Sequence, residues 1–190
     1  MATELSPAAA AGRNRLLLVL LAAVFLGSAL AAVLLRLSGW VPAAVRQHGQ
    51  LYSPVIDARA LPPRHADGRP YDWQPARRIW RVVIPAEPGC DSECVDLSHN
   101  LDKVWQLLGH NADNVQLLWL GGLPPAAARP PSLLPMAPSP ELRSALPDLP
   151  DPAGIPVYVI DPNGFVVLRY APGFDPAGLR ADLAKLLKLK

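Results

Sequence analysis

The feature that most constrains this chain is a junction, where a buried strand gives way to a helix that opens on two cysteines. Residues 79–84 are β-branched and apolar apart from Arg81, and Pro85 and Pro88-Gly89 end the run. From Val95 the apolar period changes. Cys94, Leu97, Leu101, Val104, Trp105 and Leu108 then recur at helical spacing along one face. Asp91, Ser92 and Glu93 fill the first turn, as helix starts prefer. Cys90 and Cys94 are the only two cysteines in the 190 residues. Their spacing puts both on one side of a helix, one turn apart.

A thiol at a helix N-terminus meets unpaired backbone N–H groups and the positive end of the macrodipole. Both favour the thiolate, which is the nucleophile and the soft metal ligand. Asp91 and Glu93 oppose this locally. Such a pair can cycle between dithiol and disulfide, or hold Cu(I). The alternatives are a structural bridge or two inert thiols. A bridge closing about five residues contributes only ~2 kcal/mol in the chain-entropy model, so a functional pair is the stronger reading.

The totals exclude some classes. The net charge is +2 and no basic block carries interleaved aromatics, so a nucleic-acid partner is not expected. There are 23 prolines, clustered in loops rather than spread along the chain. Residues 16–35 are uncharged and apolar, long enough to cross a hydrocarbon core of about 30 Å. The apolar run outlasts a signal-peptide core, so an anchor over 16–37 is expected, behind a short tail at 1–15. Arg13 and Arg15 before the segment nearly balance Arg36 and Arg46 after it. The short N-terminus and the cysteine pair favour an N-in anchor, with the body in an oxidising space such as a bacterial periplasm. Trp40 is a candidate for the lipid interface.

Residues 38–74 read as linker and extension, with an edge strand near 51–56 and a turn at Asp67-Gly68, together an N-terminal hairpin ahead of the core. His48 and His65 read as solvated loop histidines. His99 is nine residues from Cys90, on the opposite side of the helix, and His110 falls at the helix end. Residues 115–120 form a second strand, giving a βαβ unit with a right-handed crossover. The cysteines then lie at the carboxyl end of the first strand, where open α/β sheets place their sites. A Pro-rich insert follows over 123–154, with one short helix starting at Ser139-Pro140. Met136 reaches the cysteines only if this insert folds over them. Residues 155–160 and 165–170 flank Asn163-Gly164 as a hairpin, and Asp175-Pro176 opens a last helix striped by Leu179, Leu183, Leu186 and Leu187.

This order resembles a thioredoxin-like α/β fold over residues 75–190, behind a single N-terminal transmembrane helix. The segment Pro156-Val-Tyr-Val-Ile-Asp-Pro-Asn-Gly164 is similar to the place where that fold carries a cis-proline facing its cysteines. The resemblance implies a cis Ile155–Pro156 bond and a docking edge at Pro156. The spacing Cys90-Asp-Ser-Glu-Cys94 resembles the Sco/SenC proteins of cytochrome c oxidase assembly rather than the C-x-x-C of thiol oxidoreductases. Those proteins bind copper through two cysteines and a histidine before a later strand. Residues 151–156 hold no histidine.

The resemblance therefore implies a membrane-anchored factor with site residues Cys90, Cys94 and Pro156. Its partner would be a respiratory oxidase subunit or an assembly factor, and its cargo would be electrons or Cu(I) held by the two cysteines. A general periplasmic thiol–disulfide oxidoreductase and a non-catalytic adaptor are the other readings, so enzymatic activity stays open.

Overall fold

The computed structural model describes residues 7–38 and 47–188. The expectations for Trp40 and for the extreme N-terminal tail fall outside them. Helix α1, Pro7–Leu37, contains a stretch, Asn14–Leu37, long and apolar enough to cross a membrane. Its leucines and valines from Leu16 to Leu37 are exposed.

Residues Gln47–Lys190 form a separate compact unit. Six strands make one sheet: β1 Gln50–Asp57, β2 Trp80–Ile84, β3 Val115–Leu120, β4 Leu133–Met136, β5 Val157–Ile160 and β6 Phe165–Tyr170. Their spatial order is β1-β6-β5-β2-β3-β4. The β2-β3-β4 side is parallel, and β2-β5, β5-β6 and β6-β1 are antiparallel. Helix α2, Ser92–Gln106, makes the crossover from β2 to β3. Helix α3, Pro140–Ala145, and helix α4, Pro176–Leu186, complete the unit.

Side-chain alternation divides the core between the two sheet faces. Val82, Ile84, Leu117, Trp119, Val157 and Val159 face one way and meet Leu101 and Val104 of α2 and Leu179 and Leu183 of α4. Val83, Leu118, Leu120, Tyr158 and Ile160 face the other way. They meet Leu142 and Leu146 at α3, together with Ala58, Tyr71 and Trp73 of the extension. A register shift where β6 pairs with the end of β5 lets Val166 face the second layer while Leu168 and Tyr170 face the first.

Several expectations change here. The strand near 51–56 exists, but it does not pair within the extension to form a hairpin of its own. It adds to β6 as the sheet edge. The Asp67-Gly68 turn forms separately, closed by an Arg64–Pro70 bridge. The Pro-rich insert supplies the predicted helix α3 and also strand β4, whose Leu-Leu-Pro-Met sequence lacks a clean alternation. Ser139 precedes α3, yet its side chain makes no capping bond. Asp175 does cap α4, accepting the Ala177 N–H at 2.9 Å.

The cis bonds among the described residues are Ser53–Pro54 and Leu149–Pro150, which makes Ile155–Pro156 trans. The chain instead turns toward the cysteine helix at Gly154, whose φ of +131° lies in a region L side chains avoid. The Ile155 N–H is then held by Glu93, with 2.9 Å between N and Oε1.

Candidate functional site

Strand β2 ends inside the sheet, and the chain leaves it through Pro85 and Ala86. Gly89, at φ +81°, makes the tight turn that delivers Cys90, whose N–H reaches the Glu87 carbonyl at 3.3 Å. Helix α2 begins two residues later with Asp91 as its N-cap. Cys94 therefore falls in the first helical turn and Cys90 just before it. The two are joined as a disulfide with Cα atoms 5.6 Å apart.

Their environments differ sharply. Cys94 is fully buried among the residues of the first core layer, against the sheet. Cys90 is half-buried and opens into a groove of about 740 Å³ between the turn at 87–93 and the loop at 150–155. A neighbouring groove of about 370 Å³ continues along α2 past Asp96 and Leu97 to Phe174. Glu87, Asp91, Glu93, Asp96 and Asp151 line the two grooves, and among the described residues no lysine or arginine does. The disulfide sits in an acidic rim.

Three contacts hold the loops of that rim. Arg143 of α3 donates to the carbonyls of Pro85 at 2.6 Å and Ala86 at 3.2 Å, and lies 3.4 Å from Glu87. Arg169 of β6, itself buried, forms an ion pair with Asp151. Burial works against the Arg169 charge, but bonds to Tyr158 and Asp151 outweigh it and raise the pKa. On the same loop, Asp148 accepts a 3.1 Å bond from the Tyr52 hydroxyl. Burial and that bond push the Tyr52 pKa up to about 12. The third contact is Glu93 on Ile155.

The residues singled out by sequence separate into two groups. Cys90 and Cys94 come together. Pro156 is buried beside the groove, while Gly154 and Ile155 line it. Met136 is buried in the second core layer, across the sheet from Cys94. His99 is exposed on α2 and His110 is exposed beyond its end. His65 packs against Tyr71 at 5.8 Å between ring centroids. His48 is more than a solvated loop residue. Its backbone N–H and ring Nδ1 reach Asp182 of α4 at 2.6 and 3.2 Å. Glu93 was legible as a first-turn acid, but its partner is 62 residues away and left no local signal.

Among the described residues, no cluster of three or more His, Cys, Asp or Glu side chains is arranged to hold a metal. The available donor set is two sulfurs. Once reduced, two thiolates fit a two-coordinate soft ion such as Cu(I), and they lack the imidazole that Cu(II) favours.

A parallel βαβ unit carrying a cysteine pair at the helix mouth, extended by an antiparallel hairpin and a final helix, defines a thioredoxin-like protein. Residues 80–190 match the model of the family described as "Transmembrane-like, thioredoxin-like, C-terminal domain", and the chain belongs to that family. Two solved structures agree on the fold. Apo Sco1 from Thermus thermophilus is 18% identical with a TM-score of 0.50, covering 78% of this chain and 99% of its own. The apo form of Trgpx is 14% identical with a TM-score of 0.50, covering 70% of this chain and 95% of its own. ScoI from Arabidopsis thaliana, solved with copper bound, is 15% identical with a TM-score of 0.47, covering 75% and 99%. No curated protein matches the chain.

Proposed function

We propose that this protein is a membrane-anchored thioredoxin-like factor of cytochrome c oxidase assembly, acting through Cys90 and Cys94 by thiol–disulfide exchange or by handling Cu(I). The observation that carries the reading is the unequal exposure of one disulfide: Cys90 opens to a groove and Cys94 is buried behind it. A staple gains nothing from a groove. A redox pair requires one reachable sulfur and one protected sulfur.

The exchange balances as follows. In the dithiol form, the Cys90 thiolate attacks a partner disulfide and forms a mixed disulfide, releasing one partner thiolate. Cys94, as thiolate, then attacks Cys90 Sγ, closes the intramolecular disulfide and releases the second partner thiolate. The partner gains two electrons and two protons, and Cys90 and Cys94 lose them. Pro156, buried at the start of β5, fixes the backbone edge of Gly154 and Ile155 on which the partner docks. The body lies in a bacterial periplasm, tethered by α1 to the inner membrane, with a respiratory oxidase subunit or its assembly factors as partner. Cu(I) is cargo, held by the same two sulfurs.

Two titrations test this. An anaerobic Cu(I) titration with a Cys90→Ser/Cys94→Ser control should show tight binding that the double variant loses. A glutathione redox titration should show the pair interconverting between about −120 and −320 mV. A pair inert in both experiments leaves only a non-catalytic adaptor. The lack of a histidine in residues 151–156 favours a second reading, a general periplasmic thiol–disulfide oxidoreductase with no copper role. Redox cycling without Cu(I) binding selects it.

A further inference from the structure

The two grooves beside the disulfide share Ser92, Glu93 and Ile155, and the Glu93–Ile155 hydrogen bond lies where they meet. Gly154 is held so close beneath the carboxylate that a Cβ there would stand 2.3 Å from Glu93 Oε1. The glycine lets the acid lie across the loop. Ile155 carries the first backbone N–H before β5, and Glu93 occupies it. The Gly154 N–H is also taken, by the Asp151 carbonyl at 3.2 Å. An extended polypeptide approaching Cys90 along this edge therefore finds both donors in use.

Of the three contacts that hold the rim, Glu93 is the easiest to exchange. Its side chain is exposed, Arg169 is buried, and Arg143 is tied to two backbone carbonyls. We propose that Glu93 is a displaceable gate. It bars the trough formed by the two grooves, and the main-chain carbonyl of a cysteine-bearing extended segment replaces its carboxylate on the Ile155 N–H. Glu93 thus selects polypeptide partners, which can supply that carbonyl, and it imposes a cost that a small thiol never meets. This rests on the exchange chemistry proposed above. A carbonyl for a carboxylate is an exchange of acceptors, so the donor is satisfied before and after docking.

The test compares two reductants of the Cys90–Cys94 disulfide in the full chain in detergent micelles, read by thiol trapping and mass spectrometry. One is dithiothreitol and the other an unstructured peptide carrying two cysteines. Glu93→Ala removes the gate, and Glu93→Asp withdraws the carboxylate by one methylene while keeping its charge at the helix start. Both should raise the peptide rate relative to the dithiothreitol rate about fivefold, the worth of one net hydrogen bond. Glu93→Gln keeps an acceptor for Ile155 and should leave the ratio near wild type. Looser packing alone would speed both reductants and leave the ratio flat. A flat ratio in Glu93→Ala and Glu93→Asp overturns the gate, as does a Glu93→Gln rise equal to theirs. If wild type is reduced by neither reagent, the exchange chemistry itself fails, a result distinct from either of these.

Discussion

Replacing Asp182 by alanine should cost more stability than any surface change in this chain, because one buried carboxylate gathers donors from two other segments. Asp182 is 2% exposed. It accepts the backbone N–H groups of His48 at 2.6 Å and Gly49 at 3.1 Å and the Tyr170 hydroxyl at 2.9 Å. The site is closely fitted. A Cβ on Gly49 would meet the Tyr170 ring at 2.7 Å, and one on Gly178 would meet His48 at 2.8 Å. The His48 ring is half exposed and can turn to water, but Gly49 and the Tyr170 hydroxyl are buried. Alanine therefore orphans two buried donors at about 1–3 kcal/mol each, a loss of about 2–6 kcal/mol. Asparagine keeps one acceptor and should lose less.

The pH dependence has a defined sign. Burial raises the Asp182 pKa, but the N–H groups of His48 and Gly49, the His48 ring and the Tyr170 hydroxyl together hold it below the ordinary value. A folded pKa below the unfolded one adds stability that is complete above the unfolded value of about 3.9 and lost as pH falls through the folded value. Urea unfolding of the full chain in detergent, followed by tryptophan fluorescence from pH 7 downward, reads both effects. Asp182→Ala should unfold earlier at pH 7 and lose part of the acid-side slope. A loss under about 1 kcal/mol at pH 7 would show that the three donors find other partners and would refute the reasoning.

Four further outcomes are expected. Cys94→Ser should accumulate a mixed disulfide with a partner through Cys90, and Cys90→Ser should accumulate none, because only Cys90 reaches the groove; mass spectrometry after acid quenching reads this. Exchange with a lysine-rich dithiol peptide should slow several-fold as salt rises from about 0.05 to 0.5 M, since the acidic rim is screened beyond a Debye length of about 10 Å or less; an unchanged rate would deny the rim any role in encounter. Arg81→Met should destabilise by about 3–5 kcal/mol, because it strands the carbonyls of Ile79, Trp73 and Pro162 that a buried guanidinium now satisfies; denaturant melts give the value. Tyr52→Phe should remove one phenol from the titration near pH 12, since burial and Asp148 hold that phenol up; an ultraviolet difference titration against wild type checks it.

What the sequence carried was whatever depends on local period. The β2–α2–β3 crossover, the Asn163-Gly164 hairpin and the Pro176 helix start are written in alternation, turn chemistry and caps. Strand β4 was hidden because Leu133–Met136 is four residues long and contains a proline, the residue that argues against a strand unless it lies at an edge. The pairing of β1 with β6 was hidden because the partners are over a hundred residues apart and β1 exposes most of its side chains. Arg81 read as a blemish in an apolar strand. In the structure it is the hub that ties the extension, through Tyr71 and Trp73, to β2 and to the Asp161-Pro162 turn. The cysteines were legible as a pair, but their unequal burial was not, because it depends on which side of the turn faces the loop before β5.

That inequality orders the chemistry. Attack from outside must come at Cys90 Sγ, so the sulfur that leaves first on reduction is Cys94, in the first turn of α2 with the free N–H groups of the helix start beside it. Those dipoles stabilise the leaving thiolate, and burial opposes it. Glu93, next in sequence, directs its carboxylate to the Ile155 N–H at 2.9 Å, across the groove from which attack comes. Displacing Glu93 for a docked carbonyl would therefore open the trough beside Cys90 as the partner arrives. Partner docking and access to Cys90 are coupled through a single side chain, and a small thiol, which displaces nothing, reduces the pair without that coupling.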